Sequence, residues 1–238
     1  MTLQGQHIVV LDCETLHSAQ DCRHCGLPKE AHGYQQQQRY QCLDDGRVYE
    51  AIGWDDHAAL GLSIGCLYHY ATDHTQFFEP HTLEATLLAL LHDQPLIVSF
   101  NGRQFDGPLM AAVYSTQMDL ADDQGILSRL TQPWQTLWDA SYDLLAAIWQ
   151  VDPERKFERG LNSLDALSQA NGFGATAMDG ADAPRRWAQG RVAEVVTYCL
   201  TDVWRTRKLF ELVWETGQVL RGDGQPIQLP RPILPSTA

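Results

Sequence analysis

Short apolar runs and helical stripes alternate along the 238-residue chain, and their periods predict its elements. Residues 7–11, HIVVL, are continuous, apolar and β-branched, the pattern of a buried strand. LGLSIGCLYHY (60–70) predicts a second strand and TQFFEP (75–80) a third, ended by Pro80. Residues 83–91 form a short apolar helix, and PLIVSF (95–100) is again a buried strand. Pro108 suits the first turn of a helix that runs to about Met118. Residues 135–148 predict a strand running into a helix, and residues 161–170 an amphipathic helix ended by Asn171-Gly172. The longest helix covers 192–219, with Val192, Val195, Val196, Cys199, Val203, Phe210 and Val213 at helical spacing. From Arg221 the tail carries Pro226, Pro230, Pro232 and Pro235, so an extended or disordered end is expected. Strands first, then strands mixed with helices, predict an α/β fold on one mixed central sheet.

Residues 16–57 break this pattern. They hold the polar run Gln35–Gln38, the turn pair Asp45-Gly46 and several Cys and His, and regular structure resumes only at Leu60. The segment is expected to be an insertion into a domain spanning 1–220, with 221–238 as a Pro-rich extended tail. The length permits one large domain carrying such a module. No apolar run approaches the ~20 residues of a membrane span. The N-terminus, MTLQGQH, lacks a basic stretch followed by an apolar one, so a cytoplasmic protein with reduced cysteines is expected.

Net charge is −13. Residues 1–120 hold 15 acids against 5 Lys and Arg, and residues 121–238 hold 15 against 12. So acidic a chain does not hold duplex nucleic acid by counterion release alone. If it acts on nucleic acid, metal ions must bridge the repulsion or the contact must be short. Basic clusters occur only late: Arg155, Lys156 and Arg159; Arg185, Arg186 and Arg191; Arg205, Arg207 and Lys208.

Three acidic motifs carry the chemistry. Asp12 and Glu14 stand two apart at the end of the first strand, which places both carboxylates on one face. Ligands gather at such strand ends in open α/β sheets, and a cation relieves the repulsion of two close carboxylates. In SFNGRQFDGPL (99–109), Asp106 stands at the mouth of a helix, where alone it reads as an N-cap. In VTYCLTDV (196–203), Tyr198 and Asp202 lie at i and i+4, stacked on one helical face beside the apolar stripe.

The ordered set D-x-E, N-x-x-x-F-D and Y-x-x-x-D resembles the DEDD (DnaQ-like) 3′→5′ exonucleases of the ribonuclease H-like superfamily, in their DEDDy branch. LNSLDAL before a glycine-rich turn and YCLTDVWRTRKLF add to the likeness, which covers residues 7–15 and 60–215. The resemblance implies a ribonuclease H-like fold, a mixed sheet flanked by helices. It implies that Asp12, Glu14, Asp106 and Asp202 hold two Mg²⁺ or Mn²⁺, cations that favour oxygen ligands. Tyr198 would orient the attacking water, with the metals doing most of its activation, because a phenol of pKa ~10 is a poor base at neutral pH. Asn101 and Phe105 would shape the turn and pocket floor, and Thr15 and Leu16 would meet the terminal nucleotide. The implied substrate is a single-stranded or frayed 3′ end of DNA or RNA. A non-catalytic binding or scaffold module on the same fold would have no need of four carboxylates and a tyrosine.

A second constellation is CRHCGLPKEAH followed by Cys42. Cys22, Cys25, His32 and Cys42 offer four nitrogen and sulfur ligands to one structural Zn²⁺, with Gly26 suiting the tight turn of a knuckle. Zinc would explain how a polar segment folds at all. With few basic residues, the module is expected to serve architecture or protein contact. Asp139 and Asp143 border a strand and could support the acidic site, but read first as capping and solvent positions; Cys13 and Cys66 read as small core residues. Trp54, Trp134, Trp187 and Trp204 read chiefly as core, with base stacking as the alternative.

Overall fold

The computed structural model describes residues 3–23, 25–26, 33–35, 39–41, 48–120, 124–158, 160–176 and 178–234. In chain order the elements are β1 (Ile8–Thr15), β2 (Gly33–Gln35), β3 (Arg39–Gln41), β4 (Val48–Glu50), α1 (His57–Leu60), β5 (Leu62–His69) and β6 (His74–Phe78). There follow α2 (Leu83–Asp93), β7 (Leu96–Ser99), α3 (Asp106–Leu120), α4 (Gln124–Asp139), β8 (Tyr142–Asp143), α5 (Leu144–Val151) and α6 (Leu164–Ala170). The last are α7 (Ala183–Ala188), α8 (Val192–Thr216), β9 (Gln218–Leu220) and β10 (Pro226–Gln228).

Five strands form one mixed sheet in the order β6-β5-β1-β7-β8. β1 runs antiparallel to β5 and parallel to β7, and β7 runs parallel to β8. The C-terminal ends of β1, β7 and β8 therefore share one edge. Helices cover both faces, an architecture compatible with a ribonuclease H-like fold. The period-2 alternation of β1 divides the core. Ile8 and Val10 join the cluster under α5, α6, α7 and α8, whereas Val9, Leu11 and Cys13 join the cluster under α1, α2, α3 and α4. Asp12 and Glu14 keep the parity of Ile8 and Val10, so they face α8.

Several elements differ from expectation. β1 continues through Asp12 and Glu14 to Thr15, because β5 pairs with it along that whole length. Residues 135–139 are helical, not extended: they close α4, whose Leu130, Trp134, Leu137 and Trp138 make a helical stripe on the core. Pro133 inside that helix hid the period. The strand that follows is only Tyr142–Asp143. The tail is not a loose end. β9 and β10 pair as a hairpin, and Ile227 and Leu229 are buried in the α8-side core. Pro226 is accommodated because it opens the strand at a hairpin edge.

The segment expected to be inserted is closed at a paired neck. Leu16 and His17 donate to the carbonyls of Gly61 and Leu60, so the sheet edge continues one step past β1. Ile52 and Gly53 then donate to Asp21 and Ala19, Arg23 donates to Glu50, and Cys22 bridges Ala51. Within the segment β2, β3 and β4 form a separate antiparallel sheet.

Candidate active site

Three elements bring four carboxylates together. β1 supplies Asp12 and Glu14. α8 crosses that face of the sheet and supplies Tyr198, Cys199 and Asp202. The start of α3 supplies Asp106, whose Oδ1 accepts the Cys13 backbone N–H at 3.0 Å. That amide is left free because β1 pairs with β7 only over Ile8, Val9 and Val10. Asp106 thus fills a gap in the sheet's hydrogen bonding from the first residue of its helix.

The turn before Asp106 is built to deliver it. Asn101 sits at φ +70°, a left-handed conformation that asparagine tolerates better than most residues, and its carbonyl accepts from Gln104 and Phe105. Asp143 fastens this turn: Oδ1 accepts from Asn101 N at 3.0 Å and Oδ2 from Arg103 N at 3.0 Å. The same Oδ1 caps α5 through Ala146 N. Behind Asp106, a Cβ on Gly107 would meet the Trp138 ring at 2.7 Å, so only glycine lets the start of α3 lie this close to α4.

The site stores like charge. Glu14, Asp106 and Asp202 are 7%, 3% and 8% exposed. Burial, then the charges of Glu14, Asp106 and Asp202, push the Asp12 carboxyl well above its usual range. Burial and the charges of Asp202 and Asp106 do the same to Glu14. Burial and the Asp143 charge raise Asp106 to about 8. Asp202 is raised to about 6 by burial, less than the others because Tyr198 hydrogen-bonds it and Arg205 lies near. Burial and the same carboxylates push the Tyr198 phenol far up, so it remains protonated and donates. Its hydroxyl lies against Gly180, where a Cβ would come within 3.1 Å.

Two oxygens define what is missing. Asp12 Oδ2 is buried and lacks a hydrogen-bond partner among the described residues, and Asp202 Oδ1 accepts no hydrogen bond there and meets only the Arg205 guanidinium, at 3.6 Å. Buried carboxylate oxygens without partners are costly unless a cation meets them. The donor set is all oxygen except one thiol: ligand atoms of Asp12, Glu14 and Cys199 lie within 4.8 Å of one another. Burial and the neighbouring Cys66 push the Cys199 thiol well up, and it points at the Asp12 carbonyl, so it stays a protonated neighbour of the acids. The residues fit hard divalent cations.

Sequence reasoning missed Cys199, Arg205 and Asp165 as neighbours of the site. Arg205 is 1% exposed, a fully buried cation 3.6 Å from Asp202 and 3.4 Å from Asp165, donating also to the Gly174 carbonyl. Its signal was available: it lies three residues past Asp202, on the same helical face. Asp165, in LNSLDAL, also accepts the Thr176 N–H. Together with Thr176, Met178, Gly180 and Tyr198 they line a cavity of about 510 Å³ beside Asp202.

The remaining candidates fall as follows. Thr15 ends β1 at a register shift, Leu16 is half-exposed beside Gly61, and Phe105 packs on the α3-side core. The late basic clusters are largely spent on local acids. Arg155 pairs with Glu158 and Asp223, Arg185 with Asp182, Arg191 with Glu194, and Arg207 and Lys208 with Glu211. Arg159 lies outside the described residues. Of the sulfur set, Cys22 is buried, and the Gly26 N–H donates to its carbonyl at 2.8 Å with Gly26 at φ +67°. Cys25 is half-buried, and His32 and Cys42 lie outside the described residues.

A mixed sheet with buried acids at the end of its central strand offers a set of oxygen donors suited to divalent cations. The chain belongs to a family described as "Predicted 3'-5' exonuclease related to the exonuclease domain of PolB", whose model matches residues 63–223. Membership implies a nucleic acid substrate and dependence on divalent metal. The match takes in Asp106, Tyr198 and Asp202 but begins after Asp12 and Glu14, which the fold brings to the same place across the insertion. No curated protein matches the chain. Among the described residues no helix is long and apolar enough to cross a membrane.

Proposed function

We propose that the chain is a two-metal 3′→5′ exonuclease of single-stranded or frayed ends, on a ribonuclease H-like domain spanning 1–220. Asp12, Glu14, Asp106 and Asp202 would hold the Mg²⁺ or Mn²⁺ ions. The observation that carries this reading is the convergence of four carboxylates from three elements, with a buried oxygen of Asp12 unpartnered among the described residues. Bound divalent cations supply a nucleophile from water at neutral pH and relief of charge on the leaving oxygen. The chain's own residues orient. Tyr198 keeps its proton and directs it, Asp106 is locked to β1, and Asn101 and Phe105 shape the turn beside the scissile end. Thr15 and Leu16 would border the terminal nucleotide, since the paired neck keeps them at the sheet edge.

Cys22, Cys25, His32 and Cys42 are proposed to hold one structural Zn²⁺ in the insertion. The buried Cys22 and the tight turn at Gly26 support this reading.

The test is nucleotide release from a 5′-labelled single strand with Mn²⁺. The wild type should shorten it stepwise from the 3′ end, and EDTA should stop it. Asp12→Ala and Asp202→Asn should each lose release by at least about a thousandfold, since a ligand of the reacting ions goes. Wild-type-like release by either variant would sink the assignment.

A further inference from the structure

Of the exposed aromatic side chains among the described residues, Trp54 meets the turn that delivers Asp106. It is 62% exposed, and its ring meets Phe105 edge-on, with centroids 6.3 Å apart and planes at 61°. Phe105 directly precedes Asp106. His57 holds another side of the Phe105 ring, with centroids at 5.6 Å. Trp54 is mounted firmly for a residue so exposed. Ile52, two positions before it, is buried, and Ile52 and Gly53 are both hydrogen-bonded to the entry side of the neck. Two positions after it, Asp56 caps α1 and pairs with Arg23.

A large aromatic ring so fixed at its base, with most of its surface in water, fills no core. The other exposed aromatics among the described residues lie elsewhere, Phe77 on the edge strand β6. Trp204 is two residues past Asp202, so it projects from α8 well away from the acids, onto Phe173. Phe157 sits beyond α5 with Lys156 and Trp149.

We infer that Trp54, delivered by the inserted segment, forms with Phe105 a stacking face for the 3′-terminal nucleobase of a single strand. The inference rests on the exonuclease reading for its ligand. It adds a second ring from outside the family-matched region, which begins at residue 63. Every base offers a π-face, so the contact selects an unpaired base without reading its identity. It also suits an acidic protein, because stacking contributes affinity with no phosphate contact.

The experiment compares strands ending in a normal 3′ nucleotide with strands ending in a 3′ abasic residue. Binding is measured by anisotropy in Ca²⁺, and release separately in Mn²⁺. The wild type should prefer the normal end about five- to hundredfold, which is ~1–3 kcal/mol at 1.4 kcal/mol per tenfold. Trp54→Ala should lose most of that preference, raising KM with kcat within about twofold if stacking acts on binding alone. Trp54→Phe should restore part of it, whereas Trp54→Leu, apolar but without a π-face, should not. Equal binding of both ends by the wild type overturns the inference, as does full preference in Trp54→Ala or rescue by Trp54→Leu. Absence of Mn²⁺-dependent release with the binding preference intact would instead count against the exonuclease reading alone.

Discussion

The acidic edge and the inserted segment leave β1 within a few residues of each other and are held in opposite ways. At the acidic edge the fastening contacts come from far away in sequence: Cys13 holds Asp106, Asp143 the Asn101 turn, and the Asp12 carbonyl Cys199. The inserted segment is fixed by its neighbours, through a short ladder between residues 16–23 and 50–61. A site made of long-range contacts exists only when the whole sheet has formed, and it can therefore hold repelling charges in rigid positions. A segment closed by its own neck can be added to a domain without disturbing the core. The difference teaches where strain is stored: the core carries the unfavourable charge, and the insertion carries an exposed ring.

The sharpest break in that comparison is Arg205→Met. This guanidinium is the buried cation beside Asp202, and its loss leaves the carboxylates uncompensated. Removing one partner of a buried pair costs about 3–5 kcal/mol, and here the lower end applies because Asp165 is half-exposed. Urea melts in EDTA at pH 8 should show a loss of about 3 kcal/mol. The loss should shrink below pH 6, where Asp202 takes a proton. A loss independent of pH would mean that Arg205 acts only by packing.

A somewhat smaller effect comes from titrating the acids themselves. Asp106 and Asp202 are raised in the folded state to about 8 and about 6, above the ~3.9 of an unfolded aspartate. At these two groups the folded state then binds protons more tightly than the unfolded one, so their contribution to stability in EDTA is greatest at low pH and is lost as pH rises through these values. Between pH 8 and pH 5 the melting temperature should climb by roughly 5–10 °C. Saturating Mn²⁺ at pH 8 should recover a comparable rise, because cations replace protons at the same oxygens. A metal-free protein equally stable at pH 5 and pH 8 would contradict the stored charge. In the 16–57 segment the buried Asp21 accepts the Ser18 N–H at 2.7 Å and lies 3.9 Å from His17, so its carboxylate has local partners that the acidic edge lacks.

How much of this was legible in the sequence follows the same division. β1, β5, β7 and α8 could be seen because continuous or 3.6-period apolar residues mark them, and the three acidic motifs sit on those elements or beside them. α4 was hidden by Pro133, and β8, two residues long, is too short to have a period. The hairpin of β9 and β10 was masked by prolines whose tolerance depends on lying at an edge. Asp143 read as a cap, which it is. Its second task, holding the Asn101 turn 42 residues away, is a tertiary fact without local signature. Arg205 was overlooked because a charge on a long helix is ordinarily solvated, and only packing shows this one to be enclosed.

The mildest change tests the insertion from its own side. Cys22→Ser removes one proposed zinc ligand at a buried position in the neck. Zinc measured on the purified protein should fall from about one per chain to none, since a structural site requires all four ligands. The main melting transition should move by no more than about 2–4 °C, because the neck hydrogen bonds and the sheet remain. Mn²⁺-dependent release from a normal 3′ end should persist with kcat within about twofold, whereas KM should rise, because the neck that loses its metal also carries Trp54. If kcat collapses while KM holds, the insertion reaches the reacting groups themselves, and the two regions are one site rather than two.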